Sequence, residues 1–143
     1  MFKIHCGGDW SVSPYQAAGA FYLQHDELFF PCEKWNDLPI AMLEGWCEEI
    51  STSFEENEAV DLWFLDGHYT VRLLPCSKEV VRVELIEDEG LESEKIVDTF
   101  EVEIASFLQE ILSALDGCIA FVTGRGQRAE RLHAAKEIIL HLK

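Results

Sequence analysis

The clearest alternation of hydrophobic and polar residues lies in the segment WFLDGHYTVRLL, residues 63–74. Residues that favour strands flank Asp66–Gly67 on both sides, which predicts a hairpin closed by a two-residue type I′ turn with positive φ at both positions. Residues opposite each other across a hairpin share one face of the sheet. One face is therefore predicted to pack in the core, with Leu62, Phe64, Tyr69 and Val71. The other face is predicted to carry Asp61, Trp63, Leu65, His68, Thr70 and Arg72.

Similar alternation elsewhere predicts further strands, at Phe2–Cys6, Ala20–Cys32 (a second hairpin), Glu79–Glu89 and Ile96–Ile104. Apolar residues at three- and four-residue spacing predict helices over residues 36–54, 103–122 and 127–142. Strand blocks joined by tight turns predict an α+β fold, in which an antiparallel β-sheet built from hairpins and a meander has helices packed on one face. No repeat or linker divides the 143 residues, so 1–143 is predicted to be a single domain.

Single residues refine two of these segments. Asp37 is expected to cap the first free amides of the first helix, and Pro39 suits its first turn, where the missing N–H costs nothing. Gly45 is unfavourable inside a helix, so it is expected to mark a neighbour that packs closely against the backbone. Residues 7–19 are rich in turn-forming residues and are predicted to form a loop.

Charge is the strongest global feature of the chain. It has 27 acidic and 11 basic residues and a formal net charge of −16. Residues 125–143 carry five basic residues against two acidic ones, so the other 124 residues carry −19. A surface this acidic repels phosphate backbones and anionic lipid, which argues against binding to nucleic acid or to a membrane surface. The charge has two interpretations, solubility alone or attraction of a basic partner.

The cysteines and the N-terminal segment bear on location. Five cysteines are widely spaced, and none forms a CxxC pair. The segment MFKIHCGGDW has no apolar run typical of a signal peptide, and we expect no segment long and apolar enough to span a bilayer. These features predict a cytoplasmic protein with reduced thiols.

A search for catalytic and metal-binding patterns finds none. The five histidines have no ligand spacing, and no nucleophile elbow, phosphate-binding loop or dinucleotide fingerprint occurs. The chain is therefore predicted to have no catalytic residue, no metal and no cofactor, and not to be an enzyme. The segment GRGQR, Gly124–Arg128, has two interpretations: an anion site at a helix N-terminus, or a turn whose arginines balance an acidic surface.

The predicted outer face of the first hairpin is unusual, because Trp63 and Leu65 are large apolar residues at positions that a solvated sheet gives to polar ones. Four further aromatics also fall outside the predicted core patterns, namely Trp10, Tyr15, Tyr22 and Trp35. Aromatic residues within an acidic surround are typical of a protein-binding surface. In the other interpretation, the N-terminal hairpin or a long loop covers this face, and Trp63 and Leu65 form a second small core.

Three segments carry a resemblance to a known group of proteins. They are FFPCEKWNDLPIAMLEGW (29–46), LWFLDGHYTVRLLP (62–75) and EVEIASFLQEILSAL (101–115). Together they contain a W-x-D before a helix, an F-x-D-G-x-Y hairpin and an acidic strand that leads into a helix. This combination, over residues 29–115, resembles small acidic bacterial proteins, some of them similar to the immunity proteins that accompany bacterial toxins. The resemblance implies no catalytic residue and no ligand.

These observations lead to a predicted function. We expect a non-enzymatic acidic module that binds a basic protein, such as a bacterial toxin, because complementary charge accelerates association. The expected contact residues are Asp61, Trp63, Leu65, His68, Arg72, Glu48, Glu49, Glu87 and Asp88. Two alternatives stay open. One is an enzyme or small-ligand domain in which His68, a carboxylate and Arg72 surround a pocket between sheet and helices. The other is a structural domain that forms a homodimer through the outer hairpin face.

Overall fold

The computed structural model describes residues 1–13, 16–88 and 93–143, and it confirms the α+β class. The helices in these residues are α1 (Pro39–Glu56), α2 (Ile104–Gly124) and α3 (Glu130–His141). The strands form two antiparallel sheets, where the sequence predicted one. The separation follows from α1, which lies between the two strand blocks in the chain and contacts both of them.

The first sheet is built around one long strand, β3 (Ala17–His25). Two strands, β1 (Phe2–Cys6) and β4 (Leu28–Phe30), flank it on opposite sides, because both pair with Leu23. The short strands β2 (Ser11–Val12) and β5 (Asn36–Asp37) pair with its first half. The loop predicted for residues 7–19 is therefore partly wrong, and its residues 14 and 15 lie outside the described part of the chain.

The second sheet is a meander of β6 (Val60–Trp63), β7 (Tyr69–Pro75), β8 (Val80–Asp88) and β9 (Glu94–Glu103) in chain order. The predicted register between β6 and β7 is confirmed, since Asp61 pairs with Arg72 and Trp63 with Thr70. The predicted type I′ turn is wrong, because only Gly67 has positive φ (73°) and not Asp66. Residues 65–68 form a wider loop, which the hydrogen bond from Phe64 N–H to the Tyr69 carbonyl closes at 3.1 Å.

Asp37 explains both the wider turn and the start of α1. Its side chain is 2% exposed, and it accepts hydrogen bonds from Trp35 Nε1 (3.0 Å), Leu38 N–H (2.8 Å) and Asp66 N–H (3.1 Å). This carboxylate fastens the hairpin loop to the start of α1. Asp37 is not the helix cap that was predicted, since Leu38 occupies that position without a side-chain cap. The prediction for Pro39 in the first turn is confirmed.

The predicted role of Gly45 is wrong, because a Cβ atom built at this position meets no atom within 4 Å.

The hydrophobic core lies where α1 and α2 face the two sheets. It contains apolar residues from both sheets and all three helices, including Phe21, Phe30, Leu43, Ile50, Val71, Leu85, Phe107, Leu115 and Ile139.

Helix α2 corrects one further expectation. It is 21 residues long and, by length and composition alone, apolar enough to cross a bilayer. Such a helix is also what the core of a folded domain contains, and one side of α2 is buried against the rest of the chain, with Phe107, Leu108, Ile111, Leu112, Leu115 and Cys118.

Candidate protein-binding surface

The candidate surface is the outer face of the second sheet. Its central row crosses all four strands, from Trp63 through Thr70 and Ile86 to Ile96. The two ends of this row are exposed, Trp63 at 66% and Ile96 at 50%, whereas Ile86 between them is only 1% exposed. The row therefore has a buried apolar centre on a face that otherwise borders solvent.

Trp63 points outward because its neighbours are fixed inward. Leu62 and Phe64 on either side of it are buried in the core, and side chains alternate between the two faces of a strand. The indole Nε1 of Trp46 on α1 donates a 2.8 Å hydrogen bond to the Trp63 carbonyl, which fixes the backbone of this edge strand. Trp63 and Leu65 are both exposed, so the interpretation in which they form a second small core is wrong.

An open cleft adjoins Trp63 between α1 and β6. We call it the Trp63 cleft; its volume is about 660 Å³, and it is lined by Glu49, Thr52, Glu58, Ala59, Val60, Asp61, Trp63 and Arg72. Three of these side chains are carboxylates and one is an exposed indole. The single cation among them is already engaged by carboxylates. The cleft therefore presents an aromatic surface within a negative potential.

Arg72 holds the outer face together. Its guanidinium makes a bidentate contact with Asp61, at 2.8 and 3.2 Å, and a second one with Glu94, at 3.0 and 3.1 Å. Bidentate pairs of this kind have the best-defined geometry among ion pairs. The hydrogen bonds to Asp61 and then Glu94 raise the pKa of Arg72, and the hydrogen bond from Arg72 lowers the pKa of Glu94.

The Arg72 ion pairs also span the sheet. Asp61 and Glu94 belong to β6 and β9, the two edge strands of the second sheet. Arg72 is paired with Glu84, and Glu94 with Asp88, so the contact between Arg72 and Glu94 passes over the row that contains Ile86. Arg72 therefore has a structural role, while Trp63 beside it stays available for contact.

The structure brings together only part of the predicted contact set. Glu49, Asp61, Trp63 and Arg72 surround the Trp63 cleft. Leu65, His68 and Asp88 lie at the loop end of the same sheet, where Asp88 N–H donates to the His68 carbonyl at 2.9 Å.

Two predicted contact residues lie elsewhere. Glu87 is opposite Tyr69, in the register positions that continue the inner face of the sheet. Glu48 is exposed on α1. Neither residue lines the Trp63 cleft. Sequence reasoning missed Glu58, Glu94 and Ile96, since no local pattern places the end of α1 or β9 beside the hairpin of β6 and β7.

The other conspicuous aromatics are packed in the described residues. Trp10 stacks on Phe121 with ring centroids 4.1 Å apart, and Tyr22 stacks on His5 at 4.6 Å. Trp35 packs edge-on against Tyr69 at 5.1 Å. Tyr15 lies outside the described residues. Among the described aromatic residues, Trp63 alone is a large exposed side chain.

The alternative of an enzyme or small-ligand site expected His68, a carboxylate and Arg72 around one pocket, and these residues do not form such a cluster. His68 is exposed at the loop end of the sheet, and Arg72 is bound to Asp61 and Glu94 on the outer face rather than beside a pocket between sheet and helices. Residues 1–13, 16–88 and 93–143 contain no group of three His, Cys, Asp or Glu side chains able to hold a metal ion. That the chain is not an enzyme stays a prediction.

The GRGQR segment connects α2 to α3 and is exposed. Arg125 lies over the ring of Phe121, 5.8 Å from its centroid, and Arg128 pairs with Glu130 at 3.2 Å. The pair of Arg128 with Glu130 agrees with the interpretation of a turn whose arginines balance an acidic surface.

Comparison with known proteins adds no assignment: no family model, no curated protein and no solved structure matches this chain.

Proposed function

We propose that this chain is a non-enzymatic acidic module that binds a basic protein through Trp63 and the carboxylates of the Trp63 cleft. The observation that carries the proposal is the exposed indole of Trp63 beside Glu49, Glu58 and Asp61. Tryptophan is enriched among the residues that dominate the energy of protein interfaces. Here its backbone is fixed by Trp46, so little backbone freedom is lost when a partner packs against it.

The chemistry of the cleft favours a cationic side chain from the partner. A lysine or arginine over an indole face is attracted by the ring quadrupole, and a neighbouring carboxylate adds charge-assisted hydrogen bonds. The net charge of −16 extends this attraction beyond the contact itself, since it steers a basic protein towards the surface. A nuclease toxin has such a basic surface because it must hold phosphates, so an immunity role is the specific form of the proposal.

The direct test purifies the proteins encoded by the genes on either side of this one and measures the binding of any basic protein among them; if none binds, the proposal is contradicted. Trp63→Ala removes the aromatic anchor. We expect it to raise the dissociation constant by roughly 30-fold or more, which is the effect of removing a dominant interface residue. Leu140→Ala on α3, where Leu140 is 41% exposed, is the control and should change the constant less than twofold. Equal effects of both substitutions would show that Trp63 is not part of the interface.

A second measurement tests the electrostatic part. Association rates are measured at 50 and 300 mM NaCl for two double variants. One combines Glu49→Gln and Glu58→Gln, and the other combines Glu27→Gln and Glu137→Gln. Both pairs remove two charges, but only the first pair lines the cleft. We expect the cleft pair to slow association more at low salt, and the difference to shrink at high salt. An on-rate that does not respond to either pair or to salt contradicts the proposal.

The homodimer alternative predicts a different result. If Trp63 and Ile96 were covered by a second copy, sedimentation would show a dimer, and Trp63→Ala would convert it to a monomer. The charge argues against this arrangement, because two surfaces of the same sign would face each other. A stable dimer dissociated by Trp63→Ala would replace the proposed function with self-association.

A further inference from the structure

Two cysteines that are far apart in the chain meet between β1 and α2. The Sγ atoms of Cys6 and Cys118 are 3.5 Å apart, although 112 residues separate them. We propose that Cys6 and Cys118 are an oxidisable pair, which low-molecular-weight disulfides convert into an intramolecular disulfide that clips β1 to α2. This proposal is independent of the proposed function, because neither cysteine lines the Trp63 cleft.

β1 packs against α2 on the side of the pair that leads to the start of β1. Phe2 stacks on Phe107 with centroids 5.6 Å apart, and Ile4 N–H donates to Glu110 Oε1 at 2.8 Å, so β1 follows α2 along its length. Gly117 of α2 also lies beside the Cys6 backbone, since a Cβ atom there would be in van der Waals contact with the Cys6 carbonyl oxygen, at 4.0 Å. A disulfide requires sulfur atoms about 2.05 Å apart, so the two thiols must close by roughly 1.5 Å.

The two thiols differ in access, which sets the order of reaction. Cys6 is half-buried at the end of β1. Cys118 is completely buried. Cys6 is therefore the thiol that a small oxidant reaches first, and Cys118 is the thiol that completes the bond.

The chemistry balances with a small disulfide as the oxidant. The Cys6 thiolate attacks one sulfur of the oxidant, forms a mixed disulfide and releases one thiolate, which takes up the proton that Cys6 lost. Cys118 then loses its proton, attacks the Cys6 sulfur and releases the second small thiol. Two protein thiols are oxidised by two electrons in total, and one small disulfide is reduced to two thiols.

The reaction is expected to be slow at neutral pH. The hydrogen bond with Cys118 and then burial raise the pKa of Cys6, so little of the attacking thiolate is present. Incubation for hours is therefore appropriate. The chain supplies an internal control in Cys47, a buried thiol whose pKa burial raises to about 12 and which contacts no other cysteine in the described residues.

The test uses the full chain with Cys32→Ser and Cys76→Ser, which removes the two exposed thiols. The folded protein is incubated with oxidised glutathione, alkylated under denaturing conditions and digested without reduction. Mass spectrometry is expected to find a peptide pair joined by Cys6 and Cys118, and Cys47 alkylated. A glutathione adduct that persists on Cys6, or alkylation of both Cys6 and Cys118, overturns the proposal.

Thermal unfolding provides a second readout on the same sample. Closing a loop of about 110 residues restricts the unfolded chain, so the oxidised protein should melt higher than the reduced one by roughly 5–15 °C. Reduction with dithiothreitol should reverse this shift, Cys6→Ser should abolish it, and Cys47→Ala should retain it. A lower melting temperature after oxidation means that the bond does not fit the native fold, and it counts against the proposal.

Discussion

The buried carboxylate of Asp37 is the single residue on which the junction of the two strand blocks depends most. One of its oxygens accepts from Leu38 N–H, and the other accepts from both Trp35 Nε1 and Asp66 N–H. Asp37→Asn replaces one acceptor oxygen with an NH₂ group that faces donors. We expect it to lower the free energy of unfolding by about 2–4 kcal/mol, the cost of losing hydrogen bonds to a charged group.

Urea unfolding followed by tryptophan fluorescence measures this loss. Asp66→Asn is the control, because it makes the same chemical change on an exposed side chain in the same loop. It should change the free energy of unfolding by less than about 0.5 kcal/mol. Equal losses from both substitutions would mean that the three hydrogen bonds of Asp37 do not determine the stability of this junction.

Gly45 gives a prediction of the opposite sign. It lies in the middle of α1, and a Cβ atom there meets open space. Gly45→Ala is therefore expected to stabilise the protein by about 0.5–1 kcal/mol, because alanine restricts the unfolded chain without a clash.

Gly67→Ala is the contrasting variant for the same measurement. Gly67 has a φ of 73°, and an added Cβ would lie 2.8 Å from the Tyr69 ring, so this substitution should destabilise the fold. Urea midpoints that fall for both variants would contradict the prediction for Gly45.

Elements were predicted well where their side chains alternate over several residues. The register of β6 with β7 was predicted from a two-residue turn at Asp66–Gly67. The turn differs, but the same residue pairs form, because a shift by one residue would expose the buried set. The turn and the helix start were predicted wrongly for a single physical reason. Asp37 binds the loop from 29 residues away, and this long-range contact outweighs the local preference of Asp66–Gly67.

The ion pairs across the second sheet give a pH-dependent prediction. Arg72 lowers the pKa of Glu94 below its ordinary value of 4.5, so the folded protein favours the charged carboxylate. A lowered carboxyl pKa contributes stability that is present above the unfolded value and is lost as pH falls through the folded value. The difference in stability between the wild type and Glu94→Gln should therefore be constant from about pH 6 to 7 and should vanish in more acidic solution.

Urea midpoints between pH 3 and 7 measure that difference, which we expect to be small because Glu94 is exposed. Glu27→Gln serves as the control, since the described part of the chain holds no ion pair for Glu27. The comparison removes the general effect of protonating other acids. A Glu94→Gln difference that persists at pH 3 would mean that the Arg72 pairing does not depend on the charge of Glu94.

At the scale of the molecule, the α+β class and the position of Trp63 on the outer face of its hairpin could be inferred from the sequence, but whether that face is covered, and the site as a whole, could not. The cleft combines Glu49 and Glu58, from α1 and the segment after it, with Asp61 and Trp63 from β6. Which face of α1 lies beside β6 is decided by packing of the core and not by any local pattern. For the same reason, Glu48 was predicted to belong to the same contact set as Trp63 but does not line the Trp63 cleft.

Net charge gives a final prediction that concerns the whole molecule. With 27 acidic and 11 basic residues, the folded chain brings together many like charges that the unfolded chain separates. Added salt screens this repulsion and also weakens the exposed ion pairs, each of which contributes only about 0–1 kcal/mol. Because acids outnumber bases so strongly, we expect screening of repulsion to prevail, and the melting temperature should rise by a few degrees between 10 and 150 mM NaCl. Neutralising the exposed Glu27, Glu33, Glu55 and Glu56 to Gln should reduce the slope. A melting temperature that is constant or falls over this range would mean that repulsion between acidic residues does not destabilise the fold. The electrostatic attraction of a basic partner would then have to come from the Trp63 cleft alone.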